Sequence, residues 1–426
     1  MKKIVLLHAI LLAAAALAGP ARAQSSGRAW ASAADVARDE NKPQAALDAY
    51  RKAAEGGYAS MAMDYKYAAT AARLGQKEQA LGVLEQAVAK RQFRLLDELA
   101  QEADFAALRA DPRWAGIVAR AGANERAYRA AHASAEEFRF ITSDIERFWT
   151  VYDKLDGAAD PAALLEREYL DGGSAGLHGF VHMRINSGAS LYRRIGKHAQ
   201  YYRAIRANTL RAASFEPLIR ADMRRFKALY PEAMFPDIYF VIGRLTAGGT
   251  ASSDGLLIGT EMYGRGPGVP TSELDAWLLA GTSTIDTLPA IVTHELMHFQ
   301  QRLDPATLLG HAIKEGACDF LASLVTKGKF NETIYRYGYA NEAQLKKEFL
   351  AAMDGTDFKR WLYSGAPEGE RPADLGYFMG FRIAEAYYNK AKDKHQAIVD
   401  ILHIKDFKRF FAESGYADQP AEPVRR

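Results

Sequence analysis

The sequence predicts a mainly helical chain in two parts: tetratricopeptide-like helical hairpins over residues 30–125, then a larger α+β domain over 138–412 with a small sheet. Three observations carry this reading. Ala46, Leu47 and Ala53 in "QAALDAYRKAA" recur as Ala80, Leu81 and Ala87 in "EQALGVLEQAVA", a period of 34. Two β-rich runs, Ile238 to Leu245 and Leu256 to Met262, flank a Gly/Ser/Thr/Asp stretch. Most of the remaining sequence is patterned for helix, and 49% hydrophobic composition over 426 residues is ample for two or three domains.

The N-terminus comes first. Lys2 and Lys3 precede an apolar run from Ile4 to Leu17 and the small-residue stretch Ala21-Arg22-Ala23, the pattern of a secretory signal peptide over residues 1–23. That run is too short to span a bilayer, and no later stretch reaches the roughly 18 apolar residues a membrane helix needs. An exported, periplasmic protein is therefore expected, with full secretion as the alternative. Cys318 is the lone cysteine, so neither a lipid-anchored N-terminus nor an internal disulfide is expected. Of the 55 basic residues, the leader holds Lys2, Lys3 and Arg22, which leaves 52 against 52 acidic residues. A neutral chain of this kind does not suit nucleic acid or an anionic membrane.

The repeat has the length of a tetratricopeptide unit, whose small residues let paired helices close up. "MAMDYKYAATAARLGQ" supplies the first helix of the second unit, ending at Gly75, and "DFAALRADPRW" resembles the degenerate end of an array. A protein partner bound through these repeats is the corresponding expectation. From residue 138 aromatic and aliphatic residues take over, through "FRFITSDIERFWTVYDKL" to "RADMRRFKALYPEA". The two β-rich runs then read as a hairpin; its many glycines show neither GxGxxG nor Walker spacing, so phosphate binding is not expected. His178 and His182 stand four apart in "GLHGFVHMRI" but lack a third ligand nearby, and read as packing or surface residues.

His294-Glu295-Leu296-Met297-His298 is HExxH. On a helix, positions i and i+4 share a face, so both imidazoles can reach one cation, and Glu295 can reach a water in the open coordination position. Asp286 or Thr287 can cap this helix, and Pro289 suits its first turn. A catalytic zinc site needs a third protein ligand. Asp304 stands at the metzincin spacing, but Gln301 replaces the required Gly, and Asp304 before Pro305 reads as a helix cap. His311 has no spacing to recommend it. Glu315 does, because Asp319 follows it by one turn: a glutamate ligand and a carboxylate that accepts from the outer N–H of His294 form the gluzincin arrangement. Cys318 reads as a buried apolar thiol.

In these elements the chain resembles a bacterial family of Zn-dependent proteases classed as a domain of unknown function, gluzincin-like enzymes with HExxH and a downstream EGxxDF element. The likeness runs over about residues 138–412, through "YLDGGSAGLHGF", "LIGTEMYG", "THELMHFQQ", "KEGACDF" and "LGYFMGFRIAEAYY". It implies a zincin-like metallopeptidase domain holding one Zn2+ on His294, His298 and Glu315, with Glu295 as general base and a peptide or protein as substrate. Leu256, Leu257, Ile258, Gly259 and Thr260 are then the expected edge strand on which substrate pairs. Tyr377 is the expected donor to the oxyanion, since Gly376 and Gly380 allow its helix close to the site; Tyr263 and Tyr387 are lesser candidates. Two other functions compete with a peptidase: a non-catalytic repeat scaffold with a structural zinc domain, and a zinc amidase acting on cell-wall material. A polar, Pro-containing tail over 413–426 is expected to be disordered.

Overall fold

The computed structural model describes residues 20–328, 331–363 and 367–420, so residues 1–19 of the expected leader lie outside it. Helix α1 (Pro20–Asp39) runs through the expected cleavage site. The chain forms two compact units: residues up to Ala131 with Val151–Ser174 and Phe180–Tyr192, and His132–Thr150 with Ala175–Gly179 and Arg193 onward. Two stretches expected in the C-terminal domain thus group with the repeats. No helix among the described residues is long and apolar enough to cross a membrane.

In the first unit, α1 pairs with α2 (Pro43–Glu55), and α3 (Met61–Arg73) with α4 (Lys77–Lys90). The repeated residues explain the pairing. Ala46, Ala53, Ala80, Leu81 and Ala87 are fully buried, and alanine lets two helices approach without loss of side-chain entropy. Gly75, at φ +73°, turns the chain out of α3 in the left-handed conformation that glycine adopts without penalty. Further helices follow at Leu96–Gln101 (α5) and Pro112–Ala131 (α6).

The second unit holds a four-stranded mixed sheet in the order β1-β2-β4-β3, from β1 (Phe140–Ile141), β2 (Ile238–Val241), β3 (Gly249–Ser252) and β4 (Gly255–Gly259). This corrects two expectations. The β-rich runs do not form a hairpin with each other: β2 and β4 are parallel, with Ile238 opposite Leu256, and the hairpin joins β3 to β4. Nor is Leu256–Thr260 the edge. Leu256, Leu257, Ile258 and Gly259 lie on β4, hydrogen-bonded on both sides, while Thr260 begins a short helical turn. The physical reason lies in burial: β4 is buried at every residue, as a continuous apolar run demands, whereas the half-buried Gly-Thr-Ala-Ser of β3 takes the edge.

Helices α7 (Leu288–Gln300), α8 (Leu308–Ser323), α9 (Glu332–Ala340), α10 (Gly376–Lys390) and α11 (Phe407–Ser414) form the rest of the layer that concerns the site. β3 and β4 lie against α7. Pro289 sits in the first turn of α7, but Thr287 makes no side-chain cap and Asp286 pairs with Arg211 at 2.9 Å. Asp304 is not a cap: α8 starts at Leu308, and Thr307 accepts from the Gly310 N–H. α8 and α10 meet backbone to backbone, since a Cβ on Gly380 would stand 1.7 Å from the Ala312 carbonyl oxygen and one on Gly316 would stand 2.1 Å from the Phe381 nitrogen. The expected tail is ordered up to residue 420. Ser414 and Tyr416 are buried, and the Tyr416 hydroxyl donates to Glu342 at 2.8 Å, which anchors the segment. Residues 421–426 lie outside the described residues.

Candidate metal centre

α7 presents His294 and His298 one turn apart, their ring centroids 4.7 Å from each other. α8 brings Glu315 to the same point. Glu315 Oε2 lies 3.1 Å from His298 Nε2 and 3.8 Å from His294 Nε2, and one ligand atom from each residue falls within 4.8 Å of the others. Four ligands placed tetrahedrally at zinc bond lengths stand roughly 3.3–3.6 Å apart, so the two separations straddle the required value. His294 and Glu315 are nearly buried, at 8% and 9% exposure.

The rear of each imidazole is also engaged. His294 Nδ1 lies 2.6 Å from Asp319 Oδ1, and the other Asp319 oxygen accepts from the Tyr335 hydroxyl at 2.6 Å and from Asn331 Nδ2 at 3.0 Å. A carboxylate accepts only, so this nitrogen carries the proton and Nε2 offers its lone pair toward Glu315. His298 Nδ1 lies 2.9 Å from Gln301 Oε1 and 3.3 Å from Cys318 Sγ. This donor set, two imidazole Nε2 atoms and a carboxylate, fits zinc.

Electrostatics agree with a cation site. Burial alone would lower the His298 pKa, but the Glu315 carboxylate beside it holds it well above the usual histidine value. Burial likewise opposes ionisation of Glu315, yet His298 and His294 outweigh it and hold the carboxyl down at about 2. Cys318 is a poor alternative ligand: burial pushes its thiol up to about 11, so it stays a neutral core group.

Glu295 points elsewhere. Its side chain lies flat on the start of β3, where a Cβ on Gly249 would stand 2.3 Å from Oε1 and 2.6 Å from Cγ and Cδ. The neighbouring Gly248 makes the same close approach to the Tyr263 hydroxyl, at 2.1 Å for a built Cβ. No hydrogen bond or ion pair among the described residues reaches the Glu295 carboxylate. The glycines that read as a turn are the seat of this side chain, a role that only a backbone without Cβ can fill.

Tyrosines close the Glu315 side. The Tyr377 ring stacks 6.2 Å from that of His294, with its hydroxyl on the Glu315 side of the site. Tyr363, which spacing did not single out, donates to Glu315 Oε1 at 3.2 Å; it is 55% exposed and holds a left-handed φ of +60°. Its hydroxyl also meets His311 Nδ1 at 3.3 Å, so His311 touches the site without being a ligand. Tyr387 is bound to Asp400 at 2.8 Å and takes no part. His178 and His182 are not in the cluster; His182 Nε2 pairs with Asp35 at 3.2 Å. Of the residues missed, Gln301 had a readable signal, three positions after His298 where the helix ends.

No curated protein and no solved structure matches the chain. One family model does, over residues 266–406, a shorter stretch than the resemblance read from the motifs and one that begins after the sheet. It contains both imidazoles, Glu295, Glu315, Asp319 and the tyrosines at positions 363 and 377. Residues 266–406 are similar to the family described as Predicted Zn-dependent protease (DUF2268).

Proposed function

We propose that the protein is an exported zinc metallopeptidase that cleaves peptide bonds in an extended peptide or protein. The observation that supports this most is the division of labour in HExxH: His294 and His298 converge with Glu315, while Glu295 stands aside with an unengaged carboxylate. A structural zinc site is closed by four protein ligands, whereas three leave a position for water and substrate. That difference favours an enzyme over a scaffold.

Zinc held by His294, His298 and Glu315 would supply an acidified water and polarise the scissile carbonyl. Glu295 would serve as the general base, accepting a proton from the attacking water at its carboxylate and returning it to the leaving amine. Asp319, fixed by Tyr335 and Asn331, holds His294 in the ligating tautomer. Tyr377 and Tyr363 are the donors available to a developing oxyanion, and the exposed Tyr363 can exchange Glu315 for substrate. β3, the last strand of the sheet, is the position at which an incoming strand would add, beginning at the residue that seats Glu295. An extended peptide suits that edge better than a glycan-linked amide does.

Glu295→Gln is the direct test. Hydrolysis of a peptide library should fall at least ~100-fold while bound zinc stays at the parent level. Parent-level turnover by the variant removes Glu295 from the mechanism, and protein purified without zinc points back to the scaffold.

A further inference from the structure

We propose that Gln301 is the positioning residue of the second metal ligand: its side-chain amide clamps the His298 ring to the backbone ahead of Glu315, fixing which imidazole nitrogen faces the metal. The inference rests on the metal-site reading above and names a residue that neither HExxH nor the Glu315 helix contains.

Donors and acceptors fix which way the amide faces. Gln301 Nε2 lies 2.8 Å from the Lys314 carbonyl oxygen. A carbonyl can only accept, so the atom facing it must be the amide nitrogen. The other end of the amide, 2.9 Å from His298 Nδ1, is then oxygen, which also only accepts. His298 Nδ1 must therefore carry a proton, and Nε2 is the nitrogen left to bind a cation beside Glu315 Oε2. Gln301 is 7% exposed and sits where α7 ends, its φ of −63° and ψ of 144° taking the chain out of the helix. One amide thus joins the helix that carries both imidazoles to the residue next to Glu315, through the two ends of a rigid plane.

The two ligand histidines are consequently backed unequally. His294 leans on the Asp319 carboxylate, itself bonded to Tyr335 and Asn331, and His298 leans on a neutral amide. Outer partners of ligating imidazoles typically account for 10–100-fold in metal affinity. Cys318 Sγ, 3.3 Å from the same Nδ1, is too weak an acceptor to replace the amide.

The test uses the full mature chain, with zinc affinity measured by chelator competition and His298 nitrogens assigned by 15N NMR in the zinc-loaded protein. Gln301→Leu should weaken zinc binding 10–100-fold; Gln301→Glu, which keeps an acceptor oxygen for the ring but sets its other oxygen against the Lys314 carbonyl, should recover only part of that loss. In the unaltered protein the NMR should find the proton on His298 Nδ1. Equal zinc affinity for the parent and Gln301→Leu, or equal loss in both variants, overturns the clamp. A proton on His298 Nε2 in the parent overturns it even where Gln301→Leu does not fold. A parent that binds no zinc overturns the site itself, which separates that failure from failure of the clamp.

Discussion

Replacing Gly249 by Ala adds one methyl group at the point where β3 touches Glu295. The backbone of Gly249 lies outside the left-handed region, so alanine is acceptable there and the effect comes from contact alone. The new carbon would stand 2.3 Å from Oε1 and 2.6 Å from Cγ and Cδ, against about 3.4 Å for an ordinary contact. The carboxylate must therefore retreat by about 1 Å, and because Cγ is also too close, rotation of the terminal group alone cannot relieve the clash. A misplacement of about 1 Å in a catalytic group costs on the order of 100-fold. Peptide-library hydrolysis should fall by about that factor in kcat/KM, with zinc content and Tm close to the parent's, since the metal ligands are untouched. Full activity in a folded, zinc-replete Gly249→Ala would refute both the seat and the role of Glu295.

Two further perturbations read the support around the site. Gly380→Ala drives a methyl group into the Ala312 carbonyl at 1.7 Å, a backbone atom that cannot swing away, so a loss of about 3 kcal/mol or more is expected in urea unfolding, with zinc affinity falling as Glu315 and Tyr377 move apart. Glu261 is buried at the start of the turn after β4, accepting from the Gly243 and Leu245 N–H groups at 2.7 and 3.1 Å, and burial raises its pKa from 4.5 to about 7. The folded state then holds a proton that the unfolded state releases, so this group's contribution to stability falls as pH rises from about 4.5 to about 7, by about 3 kcal/mol. Glu261→Gln should flatten that part of the profile, and parallel profiles for the two proteins would discount the shift.

How far the sequence could be read follows from where each signal resides. His294, Glu295 and His298 share one helix and Glu315 and Asp319 another, so the fixed rise and turn of a helix make their geometry legible from residue spacing alone. The edge strand was not legible, because Gly249, Thr250, Ala251 and Ser252 have neither apolar alternation nor β-branched bulk; the more strand-like Leu256–Ile258 belongs in the interior for that very reason. Tyr363 and Asn331 reach the site from loops with left-handed φ values of +60° and +54°, conformations set by tertiary contacts rather than by local pattern. Tyr416 was masked by polar neighbours in a segment that composition alone assigns to a tail.

The glycine contact between α8 and α10 has a consequence for how this centre can change. Where two helices touch through main-chain atoms, neither can acquire a larger side chain or shift without unlocking both, so the wall carrying Glu315 and Tyr377 behaves as a single stiff piece. Adjustment to a different substrate is left to the opposite border: β3, the last strand of the sheet, and the exposed Tyr363. Selectivity in this protein would thus be tuned from one side of the cleft, while the other keeps the chemistry constant.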